Sequence, residues 1–183
     1  MARAMLDVLT ERGVENDRVH EFGGGIGGLS LQLVIAGAAS ALNVELSASY
    51  REAATALTLE AGLEDRVQFR AGDAIQVAAE IGTADIVVMN RVVCCHADGN
   101  ELMDAAIAGT RRLLAVSFPT IHPGSRVVFG VDNWLRARRG SEFRTFVHAR
   151  STFARPEAAG FVEIYHRNRP VWSMRVWERR DGA

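Results

Sequence analysis

Five glycines in six positions, Gly23 to Gly28, constrain the fold of this chain more than any other feature. They follow a short strand pattern at residues 18–22 and precede residues 29–36, whose apolar side chains have helical spacing. Glycine lets a backbone turn sharply and approach a bound molecule closely. A helix N-terminus adds unpaired N–H groups that attract polar or anionic ligands. This layout of strand, glycine loop and helix therefore predicts a ligand site.

Strand and helix patterns alternate on both sides of the loop, which predicts a parallel sheet with right-handed crossovers. The final pair of strands is separated by only four residues, so a hairpin is expected there and the last strand should run antiparallel. We expect a single α/β domain over residues 1–183. The predicted strands are 18–22, 41–46, 67–70, 85–90, 113–118, 161–166 and 171–177, and the predicted helices are 4–12, 29–36, 49–61, 74–80, 100–110 and 152–159. The pattern at 127–135 fits either a strand or a helix, and we interpret it as a helix.

The glycine loop fits two kinds of nucleotide cofactor. Gly23-x-Gly25-x-x-Gly28 matches the dinucleotide fingerprint, whereas Glu21-x-Gly23-x-Gly25-x-Gly27 matches the acidic glycine pattern of methyltransferases. Glu45, at the end of the second strand, is placed to accept both ribose hydroxyls in either case. Two features favour the methyltransferase pattern: Asp73 after the third strand, which suits an adenine amino group, and the closing hairpin. Dinucleotide domains usually continue with parallel units instead.

On these residues the chain resembles the class I S-adenosylmethionine-dependent methyltransferases from residue 18 to residue 178. Within them it is similar to a group of small bacterial enzymes with a Val-Val-Cys-Cys segment and a Phe-Arg-x-Phe-Val-His segment, here residues 92–95 and 143–148. The motifs that carry the resemblance are Glu21-Phe22-Gly23-Gly24-Gly25-Ile26-Gly27, Asn43-Val44-Glu45-Leu46-Ser47, Ala71-Gly72-Asp73-Ala74 and Ala84-Asp85-Ile86-Val87-Val88-Met89-Asn90-Arg91.

The resemblance implies a Rossmann-like three-layer sandwich whose seven-stranded sheet has the order 3-2-1-4-5-7-6, with strand 7 antiparallel. It also implies S-adenosylmethionine as cofactor, a cofactor-binding half at 18–118 and a substrate side at 119–178. The chain departs from the group in three places: Glu21 stands where Asp is commoner, His96-Ala97-Asp98 replaces an aromatic-Pro-Asp segment, and only one helix precedes the first strand. The expected cofactor contacts are Glu21, Gly23, Gly24, Gly25, Gly27, Glu45, Leu46, Gly72, Asp73, Ala74, Asn90 and Arg91.

The loop after the fourth strand is where methyl transfer should occur. Transfer from a sulfonium is an in-line displacement with a good leaving group, so position and desolvation matter most. His96 is the candidate general base, with Asp98 as its orienting partner, and the alternative is an exposed loop histidine. His148 is the second candidate base, and its alternative is a structural histidine bonded to the backbone.

The adjacent cysteines Cys94 and Cys95 have several interpretations: nucleophiles, soft-metal ligands or small buried packing residues. Their spacing does not match a structural zinc site, so no metal is predicted. At least two of the three tryptophans, Trp134, Trp172 and Trp177, are expected to pack in the core or the hairpin, although all three are candidates for an aromatic substrate pocket.

Composition narrows the function further. The chain has no lysine, which excludes Schiff-base chemistry and a lysine-dependent phosphate loop. Residues 1–122 hold 9 arginines and 16 acidic residues, whereas residues 123–183 hold 12 arginines and 6 acidic residues. The basic end either attracts an anionic substrate or is a solvated face. We expect a cytoplasmic protein with a small-molecule acceptor and with neither nucleic acid nor membrane as partner. The rival functions are a non-catalytic binding module and a nicotinamide-dependent oxidoreductase.

Overall fold

Strands and helices alternate along the chain as far as Pro119. The structure is a computed structural model that describes residues 1–141 and 143–180. Its strands are β1 (Arg18–Phe22), β2 (Ser40–Glu45), β3 (Val67–Ala71), β4 (Ala84–Asn90), β5 (Thr110–Pro119), β6 (Phe161–Asn168) and β7 (Trp172–Arg179). Its helices are α1 (Ala2–Glu11), α2 (Gly28–Ile35), α3 (Arg51–Glu60), α4 (Ala74–Ile81), α5 (Gly99–Gly109), α6 (Pro123–Arg138) and α7 (Arg155–Ala158), with 3₁₀ turns at Ala48–Tyr50, Val93–Cys95 and Arg150–Ala154.

The strands form one sheet in the order β3-β2-β1-β4-β5-β7-β6. The pairs from β3 to β5 are parallel, and β7 runs antiparallel to both β5 and β6. The predicted strand order and the predicted antiparallel strand are therefore both confirmed. Parallel strands present their carboxyl ends at one edge, and the loops that leave β1, β2, β3 and β4 meet there.

Element boundaries differ from the sequence-based prediction where a local side chain or proline decides them. The helix expected at 127–135 begins at Pro123, because His122 caps it by accepting a hydrogen bond from the Gly124 N–H at 3.0 Å. The helix expected at 152–159 divides into a 3₁₀ turn and the short α7, which has Pro156 in its first turn. The closing hairpin is tighter than expected because β6 continues to Asn168, whose side chain accepts a hydrogen bond from Ser173.

The core lies on both faces of the sheet. One cluster joins α1 and α2 to the sheet through residues such as Leu9, Leu33 and Val88. The other lies under α4 and α5 and includes Phe22 and the fully buried Trp177. Trp172 packs edge-on against Phe129, so the two tryptophans of β7 pack as expected, whereas Trp134 is exposed.

Helix α6 has an unusual distribution of burial. Its apolar residues Val127, Val131 and Trp134 are each more than half exposed, and among its residues only Ser125 is buried. Asn133 faces the molecule, where its side-chain amide exchanges two hydrogen bonds of 2.8 Å with the backbone of Thr145. The hydrogen bonds of Asn133 and the packing of Phe129 on Trp172, rather than a broad buried apolar face, therefore hold this helix. Across the described residues, the structure contains no helix both long and apolar enough to span a bilayer.

Candidate active site

A cavity of about 440 Å³ opens at the carboxyl edge of the sheet. Eight of the twelve residues predicted to contact the cofactor line it: Gly23, Gly25, Glu45, Leu46, Gly72, Asp73, Ala74 and Arg91. The other four, Glu21, Gly24, Gly27 and Asn90, do not line it. A larger groove of about 560 Å³ lies over the amino ends of β1, β2 and β3, but it contains none of the predicted site residues. The edge predicted from topology is thus where the chemistry-bearing side chains gather.

The glycine loop leaves no room for a side chain at Gly23 or Gly24. Gly23 has φ +68°, and a Cβ there would come within 2.2 Å of the Val92 side chain. A Cβ on Gly24 would meet the side chains of Asn43 and Glu21 at 2.5 Å. The Asn43 amide donates a 2.8 Å hydrogen bond to the Gly25 carbonyl, which holds the loop against β2. The backbone at Gly23 and Gly25 therefore forms the wall of the cavity directly.

The Glu45 carboxylate is held in place at the cavity wall. Its Oε2 accepts a hydrogen bond of 2.9 Å from the Gly25 N–H, and its Oε1 accepts one of 3.0 Å from the Ser47 N–H. Each carboxylate oxygen keeps a further lone pair for another donor. The arrangement leaves two fixed acceptors facing the cavity, which suits a pair of neighbouring hydroxyls.

Glu21 lies behind the glycine loop rather than in the cavity. It is 3% exposed, and its Oε2 accepts hydrogen bonds from the Ser30 N–H at 2.9 Å and the Ser30 hydroxyl at 2.6 Å. Burial raises the pKa of Glu21 to about 7, against the lowering effect of the two Ser30 hydrogen bonds. This residue ties α2 to the end of β1. A sequence signal for that role is Ser30, a polar residue that lies between two leucines in the mostly apolar helix α2.

His96 lines the cavity beside a carboxylate that belongs to Asp73 and not to Asp98. The His96 Nε2 lies 3.9 Å from the Asp73 Oδ2, while Asp73 Oδ1 caps α4 through the Ile75 N–H at 2.9 Å. Asp98 contacts the ring only with its backbone, since its side chain caps α5 by accepting from the N–H groups of Asn100 and Glu101. Those hydrogen bonds also lower the pKa of Asp98.

His148 does not line the cavity. Its Nε2 lies 2.9 Å from the Val93 carbonyl oxygen, and its ring packs so closely on Gly99 that a Cβ there would be 2.7 Å away. The same segment is held a second time, because the Phe146 N–H donates a 2.7 Å hydrogen bond to the Cys94 carbonyl. The contacts match the backbone-bonded alternative for His148, which docks residues 143–149 onto the loop after β4.

Asn90 and Arg91 form the junction between β4 and that loop. The Ser117 hydroxyl donates to the Asn90 side-chain oxygen at 2.8 Å and accepts from the Arg91 N–H at 2.9 Å. Arg91 has φ +62°, a left-handed conformation that is uncommon outside glycine. Its guanidinium lies 4.6 Å from the centre of the Trp172 ring, a cation–π distance.

Several cavity residues were not predicted. Tyr50, Leu102 and Phe143 supply an apolar wall, and the Arg136 guanidinium lies 5.0 Å from the centre of the Phe143 ring. Leu102 and Phe143 lie far along the chain from the glycine loop, so local patterns could not connect them with it. Cys94 is buried, as the packing interpretation requires, but Cys95 is exposed and lines the cavity.

Comparison with known proteins agrees with this architecture. A family model described as "Methyltransferase domain" matches residues 20–115, just over half of the chain. Among solved structures, magnesium protoporphyrin IX methyltransferase (ChlM) from Synechocystis PCC 6803 with bound SAH aligns with a TM-score of 0.78 at 16% identity, over 98% of this chain and 82% of that one. An O-methyltransferase family protein from Burkholderia thailandensis gives 0.78 at 20% identity, over 100% of this chain and 57% of that one. No curated protein matches the chain.

The fold also serves other chemistry. The [4+2]-cyclase SpnF aligns with a TM-score of 0.76 at 14% identity, over 99% of this chain and 81% of that one. At such identities the superpositions establish the shared fold, while the family match rests on sequence. The expected seven-stranded architecture and the expected family are both confirmed, and the family match favours a methyltransferase over a nicotinamide-dependent oxidoreductase. The chain belongs to the methyltransferase domain family.

Proposed function

We propose that the chain transfers a methyl group from S-adenosylmethionine to a small-molecule acceptor by in-line displacement. The observation that carries this proposal is the fixed Glu45 carboxylate, which faces the same cavity as the glycine loop and Asp73. These groups come from three neighbouring strand ends, and each matches one part of the cofactor. The family match supports methyl transfer as the reaction.

The residues of the cavity fit an adenosine group. Glu45 offers two oriented acceptors to the ribose hydroxyls, and Asp73, half-exposed at the cavity wall, offers an acceptor to the adenine amino group. Because Gly23 has no side chain, the rest of the cofactor can approach the backbone closely at this position. Arg91 adds a positive charge that suits the carboxylate of the amino-acid portion. Glu21 lies behind the glycine loop, outside the cavity, and holds α2 in place through its hydrogen bonds with Ser30.

Bound S-adenosylmethionine supplies a methyl group on a positively charged sulfur that leaves readily. The protein must therefore hold the acceptor in line and exclude water. Phe143 and Leu102 form an apolar wall that favours desolvation. His96, which lines the same cavity, is the proposed base for an acceptor that must lose a proton.

The shape of the site supports a small acceptor. Phe143 lines the cavity, and its segment, residues 143–149, is docked on the loop after β4 by His148 and Phe146. A concave pocket of this volume suits small molecules. Solved structures of the same fold include a putative sarcosine dimethylglycine methyltransferase from Galdieria sulphuraria and a putative RNA methyltransferase from Pyrococcus horikoshii, so the fold alone does not choose the acceptor.

Calorimetric titration with S-adenosylhomocysteine, alongside NADH, tests the cofactor assignment. We expect micromolar binding of S-adenosylhomocysteine and none of NADH. Methyl uptake from labelled S-adenosylmethionine into a library of small metabolites then identifies the acceptor. A folded sample that binds neither ligand would contradict the proposal and favour a non-catalytic role. Binding of NADH alone would favour the oxidoreductase.

A further inference from the structure

The two thiols of the chain lie side by side at the wall of the cavity. Cys94 and Cys95 are its only cysteines, and their sulfur atoms are 3.8 Å apart. Both sulfurs also lie 3.4 Å from the Arg91 carbonyl oxygen, so the 3₁₀ turn directs the two side chains to the same point. Cys95 is exposed in the cavity and Cys94 is buried directly behind it.

This separation suits one bridging atom better than a disulfide. A disulfide requires the sulfurs to approach to about 2.05 Å, and adjacent cysteines reach that distance only with strain. By contrast, two thiolate bonds of about 2.3 Å at a tetrahedral angle separate the sulfurs by about 3.8 Å. The observed distance therefore matches the second case with little movement of either side chain.

An atom that bridges the two sulfurs must already carry its remaining substituents when it binds. Among residues 1–141 and 143–180, no cluster of three or more metal-ligating side chains is present, so a zinc ion with four protein ligands does not fit. Mercury prefers a linear arrangement of two thiolates, which places the sulfurs farther apart than this turn does. A trivalent arsenic centre is pyramidal, with angles smaller than tetrahedral, so it draws two sulfurs somewhat closer than the observed 3.8 Å and retains one substituent of its own.

We propose that Cys94 and Cys95 form a dithiol site for trivalent arsenicals and similar thiophilic centres, with the third substituent directed into the cavity. With a monosubstituted arsenous acid, two S–H bonds and two As–OH bonds break, two As–S bonds form and two waters leave, without change of oxidation state. The first bond forms at the accessible Cys95 and the second at Cys94.

The pKa shifts of the two thiols agree with this order of bond formation. A hydrogen bond from the Cys94 thiol lowers the pKa of Cys95, which makes Cys95 the better nucleophile. The same hydrogen bond, together with burial, raises the pKa of Cys94, which keeps its proton until the first As–S bond has formed. Once both bonds are made, the ligand is held as a chelate.

Phenylarsine oxide is the probe that tests the proposal, with intact-mass spectrometry as the readout. The wild-type protein should gain one phenylarsenic group and lose two hydrogens. That adduct should survive excess 2-mercaptoethanol and be removed by dithiothreitol. The variants C94A and C95A should each bind about 100-fold more weakly or worse, since the chelate is lost. Because Cys95 is exposed, C95A should fold and tests the requirement for two sulfurs even if C94A does not.

Labelling with N-ethylmaleimide provides the matched control, because it needs only one thiol. Wild type and C94A should both be labelled at Cys95, more slowly in C94A because that variant lacks the hydrogen bond that lowers the pKa of Cys95, and C95A should not be labelled at that position. Release of the arsenical from wild type by 2-mercaptoethanol would overturn the proposal. So would a loss of two hydrogens with no added arsenic, since that mass change indicates a disulfide. Neither measurement depends on S-adenosylmethionine, so both stand apart from the test of the proposed function.

Discussion

The two acidic residues Glu21 and Glu45 show how much depends on the direction of a single side chain. Both follow the sequence pattern of a cofactor site, and both lie at or near the end of a strand. Glu45 is held by Gly25 and Ser47 with its oxygens at the cavity, whereas Glu21 is buried against Ser30. Substitutions at the two positions should therefore affect different properties.

Replacement of Glu45 by alanine should weaken S-adenosylhomocysteine binding by about 1–3 kcal/mol, the usual contribution of hydrogen bonds to a charged group. That range corresponds to a Kd increase of about 5- to 150-fold. Isothermal titration calorimetry measures the change. Glu60→Ala is the matched control, since this exposed glutamate at the end of α3 is distant in sequence from the loop and should bind normally. Equal affinity in both variants would remove Glu45 from the site.

At the scale of elements, the cavity depends on a segment that has no regular secondary structure. Residues 143–149 contact the loop after β4 through the His148 ring and the Phe146 N–H. They also contact α6 through Asn133. Phe143, at the start of this segment, lines the cavity. The position of the segment on Gly99 should therefore control both stability and ligand affinity.

Gly99→Ala should displace this segment, because the new methyl group would lie 2.7 Å from the His148 ring. Overpacking of this kind usually reduces the free energy of unfolding by about 1–3 kcal/mol. The affinity for S-adenosylhomocysteine should fall as well, since Phe143 moves with the segment. Urea denaturation and calorimetry measure the two effects.

Gly109→Ala is the control within the same helix. A Cβ at that position meets no atom within 4 Å, and alanine has the higher helix propensity. This variant should be as stable as wild type or more stable, with unchanged affinity. If both glycine variants behave alike, the His148 contact does not position the segment.

For the whole molecule, stability should respond to pH through two adjacent buried groups with opposite effects. Burial and nearby arginines lower the pKa of His20 from 6.5 to about 4, so the folded state disfavours its protonation. The contribution of His20 to the free energy of unfolding is therefore complete above pH 6.5 and is lost as the pH falls towards 4. Burial raises the pKa of Glu21 from 4.5 to about 7, so its contribution is complete below pH 4.5 and is lost as the pH rises through 7.

Glu21→Gln should separate the two effects. The variant has no carboxyl group to ionise, so its free energy of unfolding should increase from pH 4 to 6.5 and then stay level to pH 8. The wild-type curve should lose about 3 kcal/mol relative to the variant between pH 4.5 and 7. Urea titrations at a series of pH values measure both curves. Parallel curves would mean that Glu21 is not desolvated in solution.

The alternation of strands and helices up to Pro119 and the closing hairpin were predictable from sequence patterns, whereas the order of the strands was implied by the resemblance to class I methyltransferases. The position of the site followed from topology, since parallel strands end at one edge. Side-chain directions were not predictable in the same way. A pattern cannot distinguish Asp98 as a helix cap from Asp98 as a partner of His96, because both roles suit an aspartate before a helix. A sequence pattern also cannot show that Phe143 lies beside a loop that is distant from it in the chain.

The left-handed backbone of Arg91 has a consequence for the relation between stability and function. This conformation costs a residue with a side chain about 1–2 kcal/mol, more than the 0.5–1 kcal/mol of an exposed cation–π contact. Arg91→Gly should therefore match or exceed wild type in thermal stability while binding S-adenosylhomocysteine more weakly. Asn16→Gly is the control, because Asn16 shares the conformation at φ +65° and does not line the cavity. If Arg91→Gly bound normally, arginine would confer no functional advantage there. Selection for a stable fold alone would favour glycine at position 91, so weaker binding by Arg91→Gly would mark the arginine as a compromise in which thermostability is given up for ligand recognition.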